Sequence, residues 1–163
     1  MTNTRELIDD FLAQKRLALV GVSHDSRDFS RTMFRDLIRH GYEMVPVNPK
    51  LTEVDGHRCF GRLQDVMPPV DGALLMTPPA QSEQVVRDCL AAGTTRVWLH
   101  RGAGTGAVSP AAVDFCHQHG LSVIEGYCPY MFLDSTAAVH RVHRFFFKLT
   151  GRHPAARARQ PVG

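Results

Sequence analysis

Long apolar runs are missing from this chain. None reaches the ~18–20 residues that a membrane span needs, and the opening stretch MTNTRELIDDFLAQKR is polar and helical in period, unlike a secretory signal. A cytoplasmic protein that does not enter a membrane is therefore expected. The four cysteines, Cys59, Cys89, Cys116 and Cys128, lack CxxC spacing and read as reduced thiols. Excess charge is missing too. The net charge of +3 comes from 19 Lys and Arg against 16 Asp and Glu, and Arg152, Arg157 and Arg159 lie in an acid-free final stretch, 151–163. Without those three, 16 basic residues face 16 acidic ones. A neutral body lacks the broad cationic face of nucleic-acid binding, so no nucleic-acid partner is expected. No internal repeat is apparent.

What is present fits one ordinary globular domain: 163 residues, 44% hydrophobic and 21% charged. Leu7, Ile8, Phe11 and Leu12 recur at helical spacing, predicting a helix over 4–14. Short apolar strands are predicted at 17–21, 43–47, 72–77, 96–99 and 121–124. Helices are predicted from an N-cap at Ser30 to His40, over 81–92, and from Ser109–Pro110 to His119. Residues 50–70 read as irregular, with a helical piece near Leu63–Val66, and 135–149 as a last helix before a loose basic tail at 151–163. Strands alternating with helices indicate an α/β fold, a Rossmann-like doubly wound parallel sheet of about five strands. The expected strand order is 3-2-1-4-5, with ligands at the carboxyl ends of the strands.

Four loops then share one edge of the sheet. The first, Gly21–Val22–Ser23–His24, leads into the helix near Ser30 and Arg31, whose free N–H groups and positive dipole end suit a phosphate. It is not GxGxxG, and the same residues also read as a plain strand-to-helix turn. The second, Val47–Asn48–Pro49–Lys50, has no carboxylate where NAD-binding sheets usually place one for the ribose diol. Lys50 would attract a phosphorylated ribose, so coenzyme A with its 3′-phosphate suits the loop better than NAD. NADP, with its 2′-phosphate, fits by charge as well. Thr77–Pro78–Pro79 is either an apolar wall for a ligand or a simple strand stop. The fourth loop runs from His100 through Gly102 to Gly106.

At these loops the sequence resembles a known family. VGVS (Val20–Ser23), GYEMVPVNPK (Gly41–Lys50), GHRCFGRLQDV (Gly56–Val66), TPP (Thr77–Pro79), AAGTTRVWLHRGA (Ala91–Ala103) and HGLSVIEGYCP (His119–Pro129) look like the small CoA-binding proteins. Their single Rossmann-like domain is similar to the CoA-binding domain of succinyl-CoA synthetase alpha subunits. The resemblance covers roughly residues 5–132. It implies coenzyme A as the cofactor, with Gly21, Val22, Ser23, Ser30 and Arg31 at the pyrophosphate. Asn48, Pro49 and Lys50 would sit by the adenosine, and Thr77, Pro78, Pro79 and Gly102 would line the rest. The family often has Gln where this chain has His100, and its Gly102–Gly106 loop is looser than usual. The synthetase reaction uses a histidine in a second domain and an ATP-grasp partner subunit, and 163 residues leave no room for either. The resemblance thus implies a binding protein, of CoA or acyl-CoA, without catalysis of its own. The enzyme alternative, an NADP-dependent oxidoreductase, normally requires a substrate domain. A phosphoacceptor response regulator would need acids after the first strand, where Gly21–Val22–Ser23 stands.

Other constellations are weaker. Cys116, His117 and His119, or His140 and His143, fall short of the four ligands, or three plus water, of a zinc site. Cys128, after the fifth strand, is the best nucleophile, with His100 as its base, but it also reads as a packing residue before Pro129. A mixed disulfide between Cys128 and the CoA thiol is the sharper form of that idea. The last helix combines His140, Arg141, His143, Arg144 and Lys148 with Phe145–Phe147, which suits either a covering helix or a surface for a second copy or another protein.

Overall fold

A computed structural model describes residues 4–102, 104 and 106–133. The expected last helix and basic tail, with His140 and His143, lie outside the described residues. Apart from Leu133, the described part belongs to the compact unit Met1–Phe132.

Five parallel strands form the sheet: β1 (Arg16–Val20), β2 (Glu43–Val47), β5 (Gly72–Leu75), β6 (Arg96–His100) and β7 (Ser122–Tyr127). Between β2 and β5 lies a short antiparallel pair, β3 (Glu53–Val54) and β4 (His57–Arg58), followed by a 3₁₀ turn at Leu63–Asp65. Four helices complete the unit: α1 (Thr4–Leu12), α2 (Phe29–Arg39), α3 (Pro79–Ala91) and α4 (Pro110–Gln118). The α/β class and parallel, two-faced sheet agree with the expectation.

The strand order does not. The sheet runs β2-β1-β5-β6-β7, which is 2-1-3-4-5 among the five main strands rather than 3-2-1-4-5. β5 lies beside β1, with Leu17 opposite Gly72 and Val20 opposite Leu75. β2 is an edge strand, and Pro46 shows why. Alternate residues of β2 face β1: the Glu43 N–H bonds the Lys15 carbonyl and the Val47 carbonyl accepts from Gly21. Pro46 therefore turns its hydrogen-free nitrogen outward, which a strand paired on both sides would not tolerate. Its carbonyl accepts from Phe60 N–H at 3.0 Å, and the Asn48 N–H bonds the Phe60 carbonyl at 2.9 Å, so the segment after β4 covers part of this edge.

The two faces are built by strand alternation. Ala18, Val20, Val45, Val47, Ala73, Leu75, Val97 and Leu99 pack with Val86 and Cys89 of α3 and Ala112 and Cys116 of α4. The alternate residues Leu17, Leu19, Leu74 and Trp98 are buried on the opposite face. There Phe11 of α1 meets Trp98 edge-on at 5.3 Å, and Met33, Phe34 and Leu37 form the buried side of α2. Truncating one such buried side chain to Ala typically costs 2–5 kcal/mol.

This topology places the site. The chain leaves β1 towards β2 on one side, then fills β5, β6 and β7 on the other. The two directions part between β1 and β5, and in open α/β sheets a crevice for ligands lies outside the carboxyl ends of the strands at that switch point.

Candidate functional site

The loop after β1 crosses directly over the end of β5. Gly21 has φ +92°, and a Cβ there would stand 2.9 Å from the carbonyl carbon and oxygen of Met76. Only glycine permits both the conformation and the approach. The side chain of Val22 is buried, so the loop offers its backbone rather than that residue's surface. The Ser23 N–H donates to Ser30 Oγ at 2.9 Å, which folds the loop back on the first turn of α2.

Ser30 is not the N-cap of that helix. Asp28 is: its backbone is extended, and its carboxylate accepts from Ser30 N–H at 2.8 Å and from Ser30 Oγ. The Asp28 carboxylate accepts a charge-assisted bond, stronger than one to a serine hydroxyl, so the cap falls two residues earlier. Ser30 is instead buried inside the first turn and clasps Ser23. The helix start that was expected to hold a phosphate thus carries a carboxylate of its own.

Arg31 is buried to 8% exposure and is already engaged. Its guanidinium donates to the carbonyls of Ser23 and His24, at 3.2 and 3.4 Å, and to the carboxylate of Asp55 in the β3–β4 turn. Arg35 donates to the same carboxylate at 2.9 Å. Hydrogen bonding from Arg31, then from Arg35, holds the Asp55 carboxyl below its ordinary range. Arg31 therefore ties the first loop to the β3–β4 pair.

The second loop is fastened to the first. Asn48 Nδ2 donates to the Val22 carbonyl at 2.7 Å, and Asn48 Oδ1 accepts from the Lys50 N–H at 2.8 Å, an Asx turn. Pro49 and Lys50 are exposed, and Lys50 makes no ion pair among the described residues. Phe60, half-buried against β2, carries the guanidinium of Arg58 over its ring at 4.8 Å. A second cation thus flanks the loop that holds Lys50.

The third and fourth loops are joined by a buried hydroxyl chain. Thr77 Oγ1 lies 3.1 Å from Ser82 Oγ, and Ser82 Oγ donates to the Ala107 carbonyl at 2.6 Å. Pro78 is exposed ahead of α3, and Pro79 is its first residue, a position where a missing N–H costs nothing. Gly106, at φ +59°, packs so closely on His100 that a Cβ would overlap the His100 carbonyl oxygen, 2.2 Å away. Gly102 is exposed beside the His100 ring. His100 itself is 7% exposed, and burial lowers its pKa.

Cys128 follows β7 and is half-exposed, while Cys59, Cys89 and Cys116 are buried. Burial pushes the Cys116 thiol up to about 11 and raises those of Cys59 and Cys89. His119 stacks on Phe115 at 4.0 Å and bonds its carbonyl, so it serves the end of α4.

Of the sequence-predicted residues, Gly21, Val22, Ser23, Ser30, Arg31 and Asn48 form one hydrogen-bonded cradle at the ends of β1 and β2. Thr77, Pro78, Pro79 and Gly102 line the neighbouring ends of β5 and β6. Sequence reasoning missed Asp28, Asp55, Arg58 and Ser82. Asp28 carried a local signal, an Asx residue just ahead of the apolar period. Asp55 and Ser82 act across long sequence separations, and Arg58 lies two residues from the Phe60 ring it covers.

Residues 15–134 match the family described as CoA binding domain. The chain belongs to that family. It is 24% identical over 130 residues to an acetate–CoA ligase (ADP-forming) II alpha subunit of Pyrococcus furiosus, a match covering 75% of this chain and 28% of the relative. It is 27% identical over 114 residues to the uncharacterized protein YneT of Bacillus subtilis, covering 70% of this chain and 82% of that one. A solved structure of a hypothetical protein from Pyrococcus horikoshii superposes with a TM-score of 0.71 at 23% identity, over 89% of this chain and 93% of that one, and shares the fold. This chain therefore spans about a quarter of the ligase subunit's length but most of YneT. Among the described residues no helix is long and apolar enough to cross a membrane.

Proposed function

We propose that this domain binds coenzyme A, free or acylated, across the carboxyl edge of its sheet. The observation that carries the reading is Lys50. It is an exposed cation, set by the Asn48 turn beside the end of β2, where a sheet that binds NAD would place a carboxylate for the ribose diol. A 3′-phosphorylated ribose there meets Lys50, with Arg58 nearby on Phe60. The pyrophosphate crosses the switch point at Gly21–Ser23, and the pantetheine arm continues past Thr77 towards β6. The family membership supports the same ligand.

We further propose that the domain acts by binding, with chemistry supplied by another protein. The ligase relative's description as a subunit supports a protein partner of that kind.

Isothermal calorimetry with CoA, dephospho-CoA, NADP and NAD tests the reading. CoA should bind most tightly, and dephospho-CoA more weakly. Tighter binding of NADP than of CoA would overturn it in favour of a nicotinamide nucleotide.

A further inference from the structure

Four buried side-chain polar atoms have no hydrogen-bond partner among the described residues: Arg16 Nε, Gln64 Oε1, Thr94 Oγ1 and His100 Nε2. Arg16 and Thr94 lie at the amino ends of β1 and β6, and Gln64 sits against Asp88 in the last turn of α3. Only His100 stands at the carboxyl edge. A buried polar atom left unpaired costs roughly 1–3 kcal/mol, so one kept at a ligand edge calls for a partner.

The surroundings of His100 are aromatic. The Phe29 ring, at the first residue of α2, lies 5.6 Å from the imidazole, and Tyr130 meets Phe29 edge-on at 5.7 Å. Tyr130 is anchored, its hydroxyl donating to Asp36 at 2.6 Å. Phe29 is not held by its tip: its side chain is apolar and 45% exposed. The other flank is Gly102, whose hypothetical Cβ lies 3.4 Å from the imidazole Cε1 and 3.9 Å from Nε2. A side chain at 102 would rest against the ring in ordinary van der Waals contact.

We propose that His100 receives the sulfur-bearing end of a CoA-type ligand, free thiol or thioester, with Phe29 and Tyr130 as its aromatic walls. This rests on the CoA reading above. The distances agree with it. From β1, where the pyrophosphate would sit, to β6 is two strand spacings, about 10 Å, a gap for the pantetheine arm to cross. The chemistry agrees as well. Burial keeps the imidazole uncharged, which matches a thiol or thioester, both uncharged, rather than a phosphate. Nε2 can donate to a thioester carbonyl or accept from a thiol, according to its tautomer.

The test is long-range ¹⁵N–¹H NMR of the histidine rings in the full chain, run beside calorimetry. His100→Gln identifies the His100 resonances by their loss. CoA or acetyl-CoA should move the His100 Nε2 resonance, and the one that moves it further tells thiol from thioester. Adenosine 3′,5′-bisphosphate, which has no pantetheine arm, should bind and leave it unmoved. In a parallel titration, His100→Leu should bind acetyl-CoA about tenfold more weakly, the loss of one hydrogen bond, with unchanged affinity for the bisphosphate. His100→Gln should recover most of the difference. CoA binding without a shift at His100 overturns this inference and leaves the CoA reading standing. Equal losses for both ligands in a folded His100→Leu protein overturn it too. Failure of every ligand to bind the wild-type chain rejects the CoA reading itself, and this inference with it.

Discussion

The side-chain amide of Asn48 donates to the backbone carbonyl of Val22 at 2.7 Å, so the loop after β2 is latched to the loop after β1. The same side chain accepts from Lys50 N–H and thereby sets the turn that presents the lysine. One residue fixes both the floor and the cation of the proposed nucleotide site. Asn48→Leu removes both bonds and leaves the Val22 carbonyl without its partner. Stability should fall by about 1–3 kcal/mol, and CoA affinity should fall about tenfold or more. Urea denaturation and calorimetry on the same protein separate the two effects.

Lys50→Glu reverses the charge at the ribose end. CoA binding should weaken by about tenfold at low salt, and dephospho-CoA binding by much less, since only CoA carries the 3′-phosphate. Equal losses for the two ligands in calorimetry would refute the role given to Lys50.

Gly21 cannot be replaced cheaply. Alanine there combines an unfavourable positive φ with a Cβ 2.9 Å from the Met76 carbonyl. Gly21→Ala should destabilise the fold by about 2–4 kcal/mol through strain at this φ and displacement of β5 from the loop. A shift of the urea midpoint at unchanged slope would report it.

Acid should loosen the tie between α2 and the β3–β4 turn. Arg31 and Arg35 lower the Asp55 pKa from its ordinary 3.8, so the folded state favours the ionised form. That contribution is present in full above the unfolded value of about 3.9 and is lost as pH falls through the lower folded value. Asp55→Asn should therefore flatten the part of the stability curve below about pH 4. An unchanged acid limb in urea melts of the variant would count against the assignment.

The cysteines should separate by access. Iodoacetamide should label Cys128 well before Cys59, Cys89 and Cys116, which are buried and whose thiols are held protonated. Peptide mass spectrometry after brief labelling reads the order. Incubation with CoA disulfide, followed in the same way, tells whether Cys128 forms the mixed disulfide with CoA.

Much of this architecture was legible in the chain. Short apolar runs, such as Leu17–Val20 ahead of Gly21 and Ala73–Met76 after Gly72, marked strands of the sheet, because a strand buried on both faces has few polar positions to spare. Ser109–Pro110 marked the start of α4, since capping is a matter of neighbouring residues, whereas α3 was expected from residue 81 and begins at Pro79. Pro46 even carried the clue to the strand order. Its outward nitrogen requires an edge, yet the expected order placed β2 inside the sheet.

The division follows from the range of the forces involved. Local period and turn chemistry act over a few residues, so the sequence by itself determined the five strands of the main sheet, helices α1 to α4 and the four loops, though not the β3–β4 pair, and it brought Asn48 and Lys50 forward. Pairing and burial act between residues far apart in the chain. Only the tertiary structure decided that β5 lies beside β1, that Asp28 rather than Ser30 caps α2, and that Arg31 is held by Asp55. It alone left His100 buried at the carboxyl edge, its Nε2 without a hydrogen-bond partner among the described residues. Chain closure over tens of residues sets those contacts, and no local pattern encodes which partner arrives.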